Sequence, residues 1–211
     1  MNEIKPTILY CDPAVVVCHK PAGILSEGTG ADALPALLTE ALRQGGEVST
    51  SLYVVHRLDR ETEGLLFVTD DGKWNRLMTL PESGKEKCYE FIVMGELTPE
   101  KIQHLEQGVC LNGSSEPTAP AKVTVTGFST LGEVLPQLHP EIQEKSRHNP
   151  MDRVMTFGTI TITQGRYRQI RRMMKAVRCL VLELRRISID HIRLDEELKP
   201  GQWKEIYPQE Q

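Results

Sequence analysis

Three observations predict an α+β, strand-rich fold for this chain. Short apolar runs bounded by turn residues recur along its length, which is the pattern of β-strands. Segments with helix-end signals and helical apolar spacing stand between them. No repeat, low-complexity tract or linker marks a second independent unit, so residues 1–211 read as one domain.

The elements follow in order. "TILY" and "AVVVCHK" read as strands, closed by a Lys20-Pro21-Ala22-Gly23 turn. "DALPALLTEALRQGG" reads as a helix stopped by Gly45-Gly46. In "YVVHRLDRETEGLLFVTDDG" two apolar runs flank a charged bend, which carries Arg57 and Asp59 close to a buried sheet. Ionised groups there are costly unless paired or used. "KWNRLMTL" predicts a short helix and "EKCYEFIVMGEL" a strand containing Tyr89. Thr98, Pro99 and Gly108 bracket a further helix with the usual asymmetry of helix ends. "PAKVTVTGF" and "RVMTFGTITITQG" predict strands that pair across residues 129–152, a polar excursion with three prolines that reads either as a substrate-facing segment or as an inert surface insertion. A helix from Arg166 to Val177, a strand "CLVLELRRISI" and a short strand near Trp203 to Tyr207 complete the chain.

Composition narrows the classes. Apolar and charged fractions of 39% and 26% are ordinary for a globule. Five cysteines, Cys11, Cys18, Cys88, Cys110 and Cys179, contain no Cys-x-x-Cys pair, and their odd number argues against a disulfide framework; a reducing cytoplasm is expected. The N-terminus has no signal-peptide pattern, and no segment approaches the roughly 18 apolar residues of a membrane helix.

The net charge of −4 advertises no polyanionic partner, yet the basic residues are gathered: "RYRQIRRMMKAVRCLVLELRR", from Arg166 to Arg186, contains a single acid, Glu183. Within it Ile170, Met173, Met174 and Val177 share one helix face, and Arg168, Arg171, Arg172 and Lys175 share the opposite one. Arginine predominates, which favours forked contacts to phosphate over diffuse charge, and nucleic acid is the natural partner. Two tryptophans and four phenylalanines are too few for a multi-aromatic stacking platform.

His56 and Asp59 could hold a metal, but no cluster of ligand spacing accompanies them, and no metal site is expected. Nucleophile-elbow, P-loop and dinucleotide-binding motifs are absent from the sequence. A lone acid, Asp59, beside an arginine-rich anion site suits an aspartate acting directly on nucleic acid, as nucleophile or base.

"HRLDRETEGLLFVTDDG" resembles the catalytic motif of the pseudouridine synthases of the RsuA and RluA type. "GRYRQIRRMMKAV" is similar to their C-terminal motif, "ILYCDPAVVVCHKPAGI" to their opening strand pair, and "EKCYEFIVMGELTPEKIQHLEQGV" to their middle segment; the four occur in the family's order and cover most of the chain. The resemblance implies a mixed, mainly antiparallel central sheet flanked by helices, with an active-site cleft. It also implies a cofactor-free isomerase that cleaves the glycosidic bond of a uridine in RNA, turns the base and rejoins it through carbon. Ribosomal RNA is expected over transfer RNA, and a cytoplasmic monomer is expected.

By matching position, Asp59 is the catalytic aspartate, acting on the sugar as nucleophile or by stabilising its developing cation. Tyr89 is the tyrosine that stacks on uracil and assists proton transfer, and Arg171 is the basic residue that pairs with the aspartate. Arg57 braces the flipped nucleotide, Ile170 walls the pocket, and His56, Lys20, Arg166, Arg168, Gln169 and Arg172 are RNA-contact candidates. His56 follows the RluA-like form, whereas Glu63 and the doubled arginine follow the RsuA-like form, so the chain is a hybrid by motif. Val177-Arg178-Cys179-Leu180 departs from the family's Val-Gly-His-Pro, and the small N-terminal RNA-binding domain of many relatives is expected to be missing. Alternatives left open are a catalytically silent RNA-binding or ribosome-assembly protein, a synthase directed at transfer RNA, and a glycosidase-like enzyme releasing free base.

Overall fold

The structure is a computed structural model that describes residues 6–11, 15–44, 52–80 and 84–194. Its chain divides into two compact units, Met1–Lys85 with Arg186–Gln211, and Glu86–Arg185.

The first unit carries β1 (Thr7–Cys11), β2 (Val15–Lys20), α1 (Leu34–Gln44), β3 (Tyr53–Val55), β4 (Glu63–Thr69) and α2 (Gly72–Thr79). β2 pairs antiparallel with both β1 and β4, and β3 pairs antiparallel with β4. From Gly64 to Thr69 every residue of β4 is buried, which is why "GLLFVT" is a continuous apolar run rather than an alternating one. Val15, Val17, Val55, Leu65, Phe67, Met78, Ile189 and Ile192 form the core here, with Trp74 packed on it and its ring 6.3 Å from that of Phe67. Asp71 caps α2 by accepting the amides of Lys73 and Trp74 at 2.8 and 3.2 Å.

Gly64 opens β4 at φ +116°, and a Cβ there would lie 2.2 Å from the carbonyl oxygen of Arg186. Only glycine permits that approach. The Arg186 side chain is itself fully buried and donates from Nε to the Leu65 carbonyl at 2.7 Å.

The second unit carries β5 (Lys87–Met94), α3 (Pro99–Gln107), β6 (Lys122–Thr130), α4 (Leu131–Val134), α5 (Pro140–Ser146), β7 (Val154–Ile162) and α6 (Gln169–Ala176). β7 pairs antiparallel with β5 on one side and with β6 on the other. β8 (Leu180–Ile189) begins in this unit and ends in the first, where it pairs antiparallel with β9 (Ile192–Arg193). The architecture is α+β and mainly antiparallel, as the sequence predicts.

Residues 129–152 differ from a surface excursion. They fold into α4, a 3-10 turn (Leu135–Gln137) and α5, and Leu131, Val134 and Leu138 join Met94, Met155 and Leu182 in the core of the second unit. The basic helix starts at Gln169 rather than Arg166, because Arg168 adopts a left-handed conformation at φ +47° that no α-helix continues. Gly45, Gly46 and the strand expected near Trp203 to Tyr207 lie outside the described residues.

Candidate active site

Between β3 and β4 the charged bend is a turn in which the Thr62 amide donates to the Asp59 carbonyl at 3.0 Å. The loop after β2 clamps this turn at several points. Ser26 Oγ donates to the Leu58 carbonyl at 2.7 Å and accepts the Leu58 amide at 3.0 Å. The Gly23 amide donates to the Arg60 carbonyl at 2.8 Å, and Arg60 Nε returns to the Gly23 carbonyl at 2.9 Å. Asp59 is half-buried at the centre of this bonded turn, with Leu58 buried beside it as the apolar anchor. Chain entropy that would otherwise spread the carboxylate over many positions is removed by these bonds.

Lys20 takes part in the same clamp. It has no exposed surface, and Nζ donates to the carbonyls of Ile24, Pro21 and Arg60 at 2.9, 3.0 and 3.4 Å. Burial, reinforced by the Arg186 charge, lowers its pKa to about 8; Cys18, Glu63 and Asp59 pull the other way. Where the sequence suggests an RNA contact, the structure gives Lys20 a different task, holding the loop against the turn. Neighbouring Cys18 is inert, its pKa pushed up to about 12 by burial. Arg57 is exposed and paired with Glu27 at 2.8 Å. His56 sits at φ +56°, a left-handed position that glycine would occupy without strain.

In the second unit Tyr89 lies on β5 opposite Ile160 and is 7% exposed. α6 buries Gln169, Ile170, Met173 and Met174, so the apolar face read from spacing is the face that packs. Gln169 and Ile170 are both buried, and Gln169 Oε1 accepts the Arg166 amide at 2.9 Å, which leaves Gln169 little surface to offer RNA. The cationic face is also committed in part. Arg166 reaches the carbonyls of Glu116 and Pro117 at 3.0 and 2.9 Å and Ser114 Oγ at 3.3 Å. Arg172 bonds the carbonyls of Asn112 and Tyr167, and Arg171 donates to the Val181 carbonyl at 3.2 Å. Arginines that read as RNA ligands thus also tie the 112–117 loop to the start of the helix.

The sequence model of RNA pseudouridylate synthases matches residues 14–176, from β2 through the basic helix. The chain belongs to that family. Among its relatives, the ribosomal large subunit pseudouridine synthase E of Vibrio parahaemolyticus is 34% identical over 96% of this chain and 77% of that protein. The ribosomal small subunit pseudouridine synthase A of Vibrio cholerae is 30% identical over 94% of this chain and 72% of that protein. A crystal structure of a pseudouridylate synthase superposes with a TM-score of 0.65 at 25% identity, covering 92% of this chain and 70% of the other. The protein is an RNA pseudouridine synthase, an isomerase that modifies RNA.

Of the residues predicted for the synthase's site, Lys20, His56, Arg57 and Asp59 belong to the first unit, and Tyr89, Arg166, Arg168, Gln169, Ile170, Arg171 and Arg172 to the second. Sequence reasoning missed Ser26, whose two bonds to Leu58 span 32 residues, and the buried Arg186. No local pattern announces the first; for the second, the sequence offers only the doubled Arg185-Arg186 within a strand, with nothing to say which of the two is buried. Among the described residues no helix is long and apolar enough to cross a membrane.

Proposed function

We propose that the synthase converts a uridine of ribosomal RNA to pseudouridine with Asp59 as the catalytic residue. The observation that carries this reading is the clamped turn, which presents the half-buried carboxylate of Asp59 on a backbone bonded by Ser26, Gly23 and Lys20. The ribosomal names of the relatives support the choice of RNA. In the reaction the bond from the sugar C1′ to N1 breaks, the uracil turns, a C1′–C5 bond forms, and the C5 proton leaves as N1 regains one. Asp59 attacks C1′ or stabilises the cation developing there. Tyr89 stacks on the uracil and assists the proton transfer, and Arg171 supplies the positive charge of the catalytic set. Arg57 exchanges its exposed partner Glu27 for the RNA, a swap that costs little because surface ion pairs contribute about 0–1 kcal/mol. Both units work as one catalytic domain, a reading supported by the family match running through the two of them.

The test is a map of pseudouridines across ribosomal and transfer RNA in cells carrying wild-type or Asp59→Asn protein. A ribosomal pseudouridine that disappears in the variant, with RNA binding retained and turnover reduced by roughly four orders of magnitude or more, is the expected result. An unchanged map would leave a silent RNA-binding protein; loss confined to transfer RNA would move the substrate; and free uracil would mean hydrolysis instead of isomerisation.

A further inference from the structure

Tyr167 lies in the turn between β7 and α6 and is 70% exposed, more than any other large apolar or aromatic side chain among the described residues that are exposed. Exposure of a ring usually goes with a mobile loop, but this turn is bonded on all sides. The Gln169 amide donates to the Arg166 carbonyl at 3.0 Å, and the Arg172 amide to the Arg168 carbonyl at 3.0 Å. Gln169 accepts the Arg166 amide, Arg172 NH1 donates to the Tyr167 carbonyl at 3.4 Å, and the Arg166 guanidinium is fixed to Ser114, Glu116 and Pro117. The backbone that carries the ring is therefore set before any ligand arrives, so little ordering entropy remains to be lost on binding.

Two further features describe what the ring can meet. Its chain neighbours are both arginines, Arg166 and Arg168, which gives the surroundings a cationic character. At Gly165 an added Cβ would find nothing within 4 Å, so no packing against the described residues requires glycine there and the backbone beside Tyr167 is open to close approach. A flat, exposed, preorganised ring amid cations is the arrangement that stacks an unpaired nucleobase while its phosphates are held nearby.

We propose that Tyr167 is a stacking site for an unpaired base of the RNA substrate, separate from the uridine being isomerised. This rests on reading the chain as an enzyme acting on RNA and adds an affinity determinant outside the catalytic set. It differs from a multi-aromatic platform, for which the chain has too few aromatics: one ring holds one base, and the arginines fix the backbone that carries the ring.

The experiment compares wild type, Tyr167→Phe and Tyr167→Ala for binding to a labelled single-stranded decauridylate and to an RNA duplex of equal length, over a range of salt. Thermal melting checks that replacing an exposed side chain leaves stability unchanged. Tyr167→Ala is expected to weaken single-strand binding roughly tenfold with the salt slope unchanged, because stacking releases no counterions. Duplex binding should stay as in wild type, and Tyr167→Phe should restore the single-strand affinity. With ribosomal RNA as substrate, Tyr167→Ala should raise KM by a similar factor and leave kcat alone. Equal losses on both probes, no loss on either, or wild type that ignores the single strand would each overturn the stacking site. The wild-type turnover run alongside separates the two ideas: an inactive wild type defeats the catalytic reading, whereas an active wild type matched in KM by Tyr167→Ala defeats this one.

Discussion

Lys20 keeps a charged group with no exposed surface, and the reason is its three carbonyl partners, which bind the loop after β2 to the turn bearing Asp59. Burial lowers its pKa from 10.5 to about 8, so the unfolded chain holds this proton more tightly than the folded one. Between about pH 8 and 10.5 the unfolded state binds more protons, and stability contributed through Lys20 rises with pH; as pH falls through 8 that contribution is lost. The shift corresponds to about 3 kcal/mol. Urea unfolding of wild type and Lys20→Met at pH 7.5 and pH 10 (roughly the two ends of that window) should therefore show wild type gaining on the variant as pH rises. A gap between the two that does not move with pH would mean that the lysine is not buried as a cation.

At the level of elements, the packed segment between β6 and β7 makes a definite prediction. Leu131 is fully buried in the second unit's core, so Leu131→Ala should cost about 2–5 kcal/mol, whereas Phe128→Ala, at a 57% exposed position, should stay within about 0.5 kcal/mol. Denaturant midpoints of the two variants decide it; equal effects would show the segment to be peripheral. Its helices were partly legible in the sequence, since Leu131, Val134, Leu135, Leu138 and Ile142 fall at helical intervals. The prolines masked that signal by reading as breakers, yet Pro136 sits in the 3-10 turn and Pro140 at the first position of α5, where a missing amide costs little. The strands were easier, because runs such as "GLLFVT" have no competing reading as short amphipathic helices. The site divides the same way. The bend carrying Asp59 stood out as charge interrupting apolar sequence, but the clamp from Ser26 depends on a pairing 32 residues apart, which the local sequence does not encode.

Across the whole molecule the charge is unevenly divided. The second unit, residues 86–185, holds thirteen basic and eleven acidic residues, and the remainder twelve basic and eighteen acidic, so a chain of net charge −4 still has one cationic half. Electrostatic attraction of RNA is therefore expected to fall to that half. Its arginines do not contribute alike, however. The Arg172 guanidinium is engaged by the Asn112 and Tyr167 carbonyls, whereas Lys175 and Arg178 are exposed. Removing Arg172 leaves those two carbonyls without their charged donor and removes one of the ties on the 112–117 loop, Arg166 keeping the others, so Arg172→Ala should lower the melting temperature, at a cost of about 1–3 kcal/mol. Lys175→Ala combined with Arg178→Ala should instead leave melting unchanged and make the dependence of log affinity on log salt shallower by about 1.4, from about 0.7 for each single-strand phosphate that is no longer neutralised. Titration of labelled RNA at several salt concentrations reads the second effect and calorimetry the first. If Arg172→Ala flattened the salt dependence while the double variant did not, phosphate binding would have to be reassigned from the exposed end of α6 to its anchored arginines.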